Sequence, residues 1–414
     1  MTRRLQVFFP QCPWPVRSGA HRRCMDIVES FLAMGWSVRL LSTDLFEHGR
    51  WTDSSIAALA AKGVECRIFQ QRSPGDHRRE RWEARLDRWG IRKSDPFANP
   101  HLCPPSMLSW FEREVVSQAT DLVLVTFVWW TPLGGILSKL RVPRILEIQD
   151  LVTLNARQAA PLEAAMGWRW REAGDLPPHL LAESATQVAD AERGEYRALS
   201  KWPAISSISG VESLRIAAAC PGSKVVHVPS AMDLPERTSN LEGLPVFPTG
   251  PNLFNLQGLH LLAAQVMPRI LSGCPDAQVR ITGHCCGHVG ASKGLELSGF
   301  VDDFPGLLRD SRFLVSPVRG GTGLQLKILE GMAFGLPAVT LPGPFQEVPV
   351  TDGVDGFRAS GTDEFADACL RLWHDKSLRI RMGEAARESV RDRHSRDRQI
   401  IALGELIRIA GISG

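Results

Sequence analysis

Ser316-Pro-Val-Arg-Gly-Gly-Thr-Gly-Leu-Gln-Leu-Lys-Ile-Leu-Glu-Gly-Met-Ala-Phe-Gly-Leu-Pro-Ala-Val-Thr340 reads as the end of one strand, a glycine-rich loop, a helix and the next strand. Gly320, Gly321 and Gly323 let the backbone approach a ligand closely, and the helix that follows turns unpaired N–H groups and its positive dipole end toward the same place. An anion fits there. Thr322 and Gln325 have the spacing of a capping box, and Gly335 and Pro337 are natural terminators, so a helix is expected over 323–334. Lys327 and Glu330, three residues apart, share one of its faces. The ammonium suits a diphosphate, whose charge grows as a sugar–phosphate bond breaks, and the carboxylate can accept hydrogen bonds from two ribose hydroxyls. Seen alone, the two would read as an ordinary surface ion pair; the glycine loop and flanking strands point them toward function.

Outward from this unit, short apolar runs alternate with segments of helical period, the pattern of parallel α/β sheets, and the alternation occurs twice. Strands are expected near 5–9, 38–41, 64–69, 122–126, 144–148, 205–208 and 225–228, and again near 278–282, 295–297, 313–316 and 338–341, with helices such as 20–34 and 256–271 between them. The proline-rich, aperiodic stretch after Asp233 reads as a linker. A chain of 414 residues exceeds one core. The expected organisation is an N-terminal Rossmann-like domain over 1–235, a linker over 236–248, a second Rossmann-like domain over 249–385, and C-terminal helices over 386–414 that pack back on the first domain.

Gly321 through Val339 resembles the donor-site signature of the retaining glycosyltransferases of family four. Further pieces fall in that family's order: Pro13-Trp-Pro-Val-Arg-Ser-Gly-Ala20 is similar to its first-strand loop, Val226 through Asp233 to the end of its first domain, Gly250 through Gly258 to the opening of its second, and Gly299-Phe-Val-Asp-Asp303 to the loop that meets the base. The resemblance implies the α/β GT-B fold, two Rossmann-like domains facing a cleft, with the acceptor bound mainly by the first. It also implies transfer from a nucleotide-diphosphate sugar with retention of configuration, UDP being the family's commonest carrier and GDP or ADP the alternatives. On this likeness Lys327 contacts the diphosphate and acts catalytically, Glu330 holds the ribose, Gly19 sits beside the phosphates, and Phe300 and Val301 line the base pocket. The loop Arg319, Gly320, Gly321, Thr322, Gly323 and Leu324 completes the donor site. Thr322 stands where many members carry a carboxylate eight residues before Glu330, and 250–258 has no lysine or arginine where many have a basic pair. Neutralisation of the phosphates then rests on Lys327, Arg319 and the helix dipole.

Asp150 ends an expected strand at the edge where open α/β sheets bind ligands, so it can orient an acceptor hydroxyl or cap the next helix. Trp129 and Trp130 offer flat surface for an acceptor ring, or core filling. His21 begins the first helix, facing the expected cleft. In His284-Cys-Cys-Gly-His288 the ligand spacing does not suit zinc, and the cluster reads instead as a loop over the nucleotide. No Asp-x-Asp motif calls for a metal, and no cofactor is expected. Residues 78–93 place Trp82, Leu86 and Trp89 on one stripe among arginines; the expected packing puts the tryptophans on the domain, with peripheral contact to a membrane or lipid-linked acceptor as the other reading.

The formal charge of +3 marks no nucleic-acid partner, and nine cysteines without framework spacing suggest a reduced, cytoplasmic chain without a signal peptide. The acceptor is open between a small molecule, a glycan and a lipid-linked sugar; the oligomeric state is not legible. Two rivals fit the same residues: a nucleotide-sugar epimerase or hydrolase, and a non-catalytic nucleotide-sugar-binding regulator.

Overall fold

The computed structural model describes residues 2–45, 50–89, 95–98, 101–166 and 191–412. The chain divides into two compact units: unit 1 comprises residues 1–150, 192–231 and 396–414, and unit 2 comprises residues 151–191 and 232–395.

Unit 1 holds a seven-stranded parallel sheet of β1 (Arg4–Phe8), β2 (Ser37–Thr43), β3 (Val64–Phe69), β4 (Leu122–Thr126), β5 (Arg144–Ile148), β6 (Ala204–Ser207) and β7 (Lys224–His227). Their spatial order is β3-β2-β1-β4-β5-β6-β7. The strands are apolar runs because helices cover both faces of a parallel sheet, as the wholly buried Leu122–Thr126 illustrates. The helix Gly19–Ala33 starts where the Ser18 hydroxyl accepts from the His21 amide at 3.2 Å, and it buries Met25, Ile27, Val28 and Phe31. The helix Arg396–Ile409 adds Leu403, Leu406 and Ile407 to the same core. Polar bonds fix its position: Gln399 accepts from Ser30 at 2.6 Å and donates to the Pro229 carbonyl at 2.8 Å.

Unit 2 holds six parallel strands, β8 (Val246–Thr249), β9 (Val279–Gly283), β10 (Leu295–Gly299), β11 (Leu314–Ser316), β12 (Ala338–Thr340) and β13 (Gly356–Arg358), in the order β10-β9-β8-β11-β12-β13. Alternation divides its two faces. Phe313, Val315 and Val339 join a core with Leu256, Leu259, Met267, Phe365 and Leu372, while Leu314 and Ala338 join another with Ile328, Leu329, Met332, Ala386 and Val390.

The stretch read as a linker runs into β8, a central strand. Pro245 just before the strand and Pro248 within it hide the strand pattern. Pro248 is tolerated because β8 pairs with β11 only at Val246 and with β9 over all four residues. The helix expected over 256–271 is Leu253–Leu261, a π-helical turn Leu262–Val266, and then Met267–Gly273.

In unit 1, Asp26 is 3 % exposed and accepts from the Ser230 hydroxyl at 2.9 Å. Burial pushes its carboxyl up to about 7, against the hydrogen bond from Ser230 and the charges of Arg22, Arg23 and Arg396. The folded chain therefore keeps a proton that the unfolded chain releases near 3.8. The resulting stability is complete at acid pH and is lost as the pH rises through about 7. Asp26→Asn is expected to gain melting temperature relative to the wild type between about pH 5 and about pH 8. A difference independent of pH contradicts this placement of the proton.

Candidate functional site

The strand order of unit 2 reverses between β8 and β11, and ligands of open α/β sheets bind beyond the carboxyl ends of strands at such a switch point. The loop leaving β11 crosses that place. Its backbone lies on Phe254: a Cβ on Gly320 would stand 2.2 Å from the ring, so only glycine fits. Gly321 and Gly323 have φ of 108° and 69°, in the region that side chains avoid. The loop is also held by the backbone of Glu347, which donates to Gly323 at 2.9 Å and accepts from Gln325 at 3.2 Å.

This pairing changes the expected helix start. The helix is Leu326–Ala333, with Gln325 at its cap position and no side-chain capping bond. Thr322 and Gln325 form no capping box. Gln325 instead accepts from Ser316 at 2.9 Å and donates to Gln346 at 2.6 Å, while Gln346 donates to the Gly320 carbonyl at 2.9 Å. Among the described residues, the backbone N–H groups of Thr322, Gly323, Leu324 and Lys327 have no protein acceptor, and the buried Thr322 hydroxyl has no partner either. Four unpaired amides at one bend form the kind of concavity that suits an anion.

Lys327 reaches across the switch point and donates to the Thr249 carbonyl at the end of β8. Burial pushes its ammonium below the usual lysine value, with the negative charge of Glu330 pulling it back. Cys285 itself is a thiol, raised to about 11 mainly by burial, and donates to the Gly250 carbonyl at 3.5 Å. Arg319, half-buried at the start of the loop, makes no hydrogen bond or ion pair among the described residues. Lys327, Glu330, Thr322 and the glycines thus meet on one loop and helix, with a second cation beside them.

Phe300 and Val301 follow β10 at the sheet edge, and Phe300 is 85 % exposed. Three strand spacings separate β10 from β11, about 14 Å at the usual interval.

Sequence reasoning missed Gln158. It lies on the helix Val152–Met166, which belongs to unit 2, and its carboxamide accepts from the Gly321 amide at 3.3 Å and faces the Gly321 carbonyl at 3.5 Å. Its separation of 163 residues left no local signal. The Gly321 amide is thereby committed to the protein.

The unit 1 candidates occupy carboxyl edges of its own sheet, which reverses order between β1 and β4. Gly19 is the exposed first residue of its helix. His21 is buried, its Nδ1 accepting from the Arg17 amide at 3.4 Å, and burial holds its pKa below the usual histidine value. Trp130 is 3 % exposed and packs on Phe8 with ring centroids 4.8 Å apart, so it is a core residue and offers no acceptor face. Trp129 is half-buried and stacks on Phe97 at 4.9 Å. Both follow Phe127, whose φ of 67° is strained for an aromatic residue. Asp150 is half-buried just beyond β5. An open depression of about 480 Å³ lies past β2 and β3, lined by Asp44, Leu45, Gln70, Gln71, Arg72 and His77; its position away from both switch points keeps it apart from the donor chemistry. Among the described residues no three His, Cys, Asp or Glu side chains converge as metal ligands. His284 and His288 face each other, Nε2 to Nε2, at 3.1 Å.

Residues 249–375 match the family model described as Glycosyl transferases group 1. The matched residues lie within unit 2. No curated protein sequence matches the chain. Among solved structures, a glycosyltransferase from Rickettsia africae is similar with a TM-score of 0.62 at 10 % identity, covering 100 % of both chains. TarM from S. aureus, solved as a point mutant with fondaparinux, alpha-GlcNAc-glycerol and UDP, has a TM-score of 0.62 at 10 % identity over 98 % of this chain and 100 % of its own. Anabaena HepE, solved with UDP and glucose, has a TM-score of 0.56 at 11 % identity over 98 % and 99 %. These likenesses show the fold: a two-domain, Rossmann-like α/β chain of the GT-B class.

Removal of the Gln158 carboxamide leaves the Gly321 amide and carbonyl unpaired in a dry site. Gln158→Ala is expected to cost about 1–3 kcal/mol, read as a lower melting temperature with faster hydrogen exchange at the Gly321 amide. Unchanged exchange there contradicts the clamp.

Proposed function

We propose that the protein is a glycosyltransferase that moves a sugar, with retention of configuration, from a nucleoside-diphosphate donor to an acceptor hydroxyl. A UDP-sugar is the first choice of donor, ahead of GDP- and ADP-sugars. The observation that carries this reading is the set of unpaired amides of Thr322, Gly323, Leu324 and Lys327 beside the partly desolvated Lys327 ammonium, at the switch point of the sheet whose residues match the group 1 glycosyltransferase model. The UDP in the TarM and HepE structures, and the glucose in the latter, support the donor class.

In this reading the amides and Lys327 receive the diphosphate, Arg319 adds charge, and Glu330 accepts from the ribose hydroxyls. Phe300 and Val301 hold the base. As the bond from the anomeric carbon to the phosphate oxygen breaks, charge builds on the phosphate, where the ammonium and the fixed N–H dipoles stabilise it without reorganising. The acceptor oxygen bonds to the anomeric carbon on the face the phosphate leaves, and its proton passes to a phosphate oxygen. The Thr322 hydroxyl, buried without a partner, is suited to a hydroxyl of the donor sugar in place of a carboxylate. Asp150, His21 and Trp129 of unit 1 are the acceptor-side candidates, and Gly19 is a donor-side candidate on the family likeness alone.

Lys327→Ala should lower turnover about 10²- to 10³-fold, by analogy with loss of one preorganised charge-stabilising donor. The assay follows sugar transfer and sugar release from UDP-, GDP- and ADP-sugars, with and without acceptors. Turnover near that of the wild type in the variant contradicts the assignment, and sugar release that no acceptor accelerates replaces transfer by hydrolysis.

A further inference from the structure

The helix Pro74–Arg88 of unit 1 is amphipathic in the inverted sense. Its described carboxylates face the protein. Asp76, 2 % exposed, accepts from the Ser73 amide at 2.7 Å and from the Ser106 hydroxyl. Burial alone would raise its pKa, but the bonds from Ser106 and Ser73 outweigh it and hold the carboxyl below its usual value. Glu80 pairs with Arg72 at 2.8 Å, and the buried Glu83 with Arg79 at 2.8 Å. The outer face carries cations and indoles. Arg78, Arg81, Arg85 and Arg88 are exposed, and so are Trp82 at 60 % and Trp89 at 68 %. At 3.6 residues per turn, Arg78, Trp82, Arg85 and Trp89 fall within roughly 60° of one another. The Trp89 amide donates to the Arg85 carbonyl at 3.0 Å, which continues the helix to this residue. Among the described residues Arg78, Arg85 and Arg88 have no ion-pair partner. The expected docking of these tryptophans on the domain is therefore not what the chain does; residues 90–93 of the stretch lie outside the described residues.

Two indoles left in water beside unpaired guanidinium groups call for a partner that supplies anionic charge and, immediately behind it, an apolar layer. We propose that this face docks unit 1 on an anionic phospholipid bilayer, the lipid phosphates meeting Arg78, Arg85 and Arg88 and the rings of Trp82 and Trp89 entering the headgroup–acyl boundary. Charge complementarity argues for this occupant, because guanidinium groups pair with phosphate oxygens and tryptophan favours the interface between headgroups and chains. The contact is peripheral: among the described residues no helix is long and apolar enough to cross a membrane. The proposal is independent of the donor-site reading, since it concerns only the outer face of this helix.

The test is co-sedimentation of the full chain with vesicles of phosphatidylcholine alone or of phosphatidylcholine with phosphatidylglycerol. Binding is expected to the mixed vesicles only, weakening as salt is raised. The pairs Trp82→Ser with Trp89→Ser, and Arg78→Gln with Arg85→Gln, should each lower partitioning about tenfold or more. Their melting temperatures should match the wild type because these side chains are exposed, which separates loss of docking from loss of fold. Absence of binding to the mixed vesicles, or binding that both pairs leave unchanged, overturns the proposal. So does tight binding of a single-stranded oligonucleotide that the tryptophan pair abolishes while vesicles are ignored.

Discussion

A lysine ammonium partly withdrawn from water at the carboxyl edge of unit 2 is the feature around which the neighbouring loop is arranged. Withdrawing a cation from water is unfavourable, and the Thr249 carbonyl and the charge of Glu330 compensate Lys327 within the protein. In the proposed reading a bound anion compensates it further. The loop after β11 passes this lysine over Phe254, with glycine where a Cβ would collide, and is braced by Glu347, Gln346 and Gln158.

Four amides without acceptors complete it. Unpaired N–H groups are unfavourable where water is excluded, and the hydrogen bonds of Glu347, Gln346 and Gln158 hold the backbone in this arrangement. The chain has no basic residue over 250–258. In the proposed reading, backbone dipoles and Arg319 supply the charge that side chains of the β8 loop do not.

What could be read from the sequence follows the range of the interactions concerned. Glycine loop, helix and strand around Lys327 are local, and their signals lie within 25 residues of chain. The capping box at Thr322 and Gln325 failed because a non-local partner, the Glu347 backbone, took the amide that the cap would have used. Gln158 was invisible because no periodicity links residues 163 apart. β8 was hidden by Pro245 and Pro248, which mark linkers by rule and are admitted here because pairing with β11 ends at Val246. Trp130 and Trp82 failed in opposite directions: a tryptophan after a strand proved to be core against Phe8, and one on a helical stripe proved to be outside. Hydrophobic character alone does not say which face of an element finds a partner.

Calorimetric titration of the protein with UDP, GDP, ADP and dTDP, each beside its nucleoside monophosphate, tests the anion site at Lys327 most directly. The account predicts that at least one diphosphate binds and that removing its terminal phosphate weakens binding about tenfold or more, the effect of losing one or two charge-assisted hydrogen bonds. Equal affinity for the two, or heat from neither in a folded sample, would contradict it.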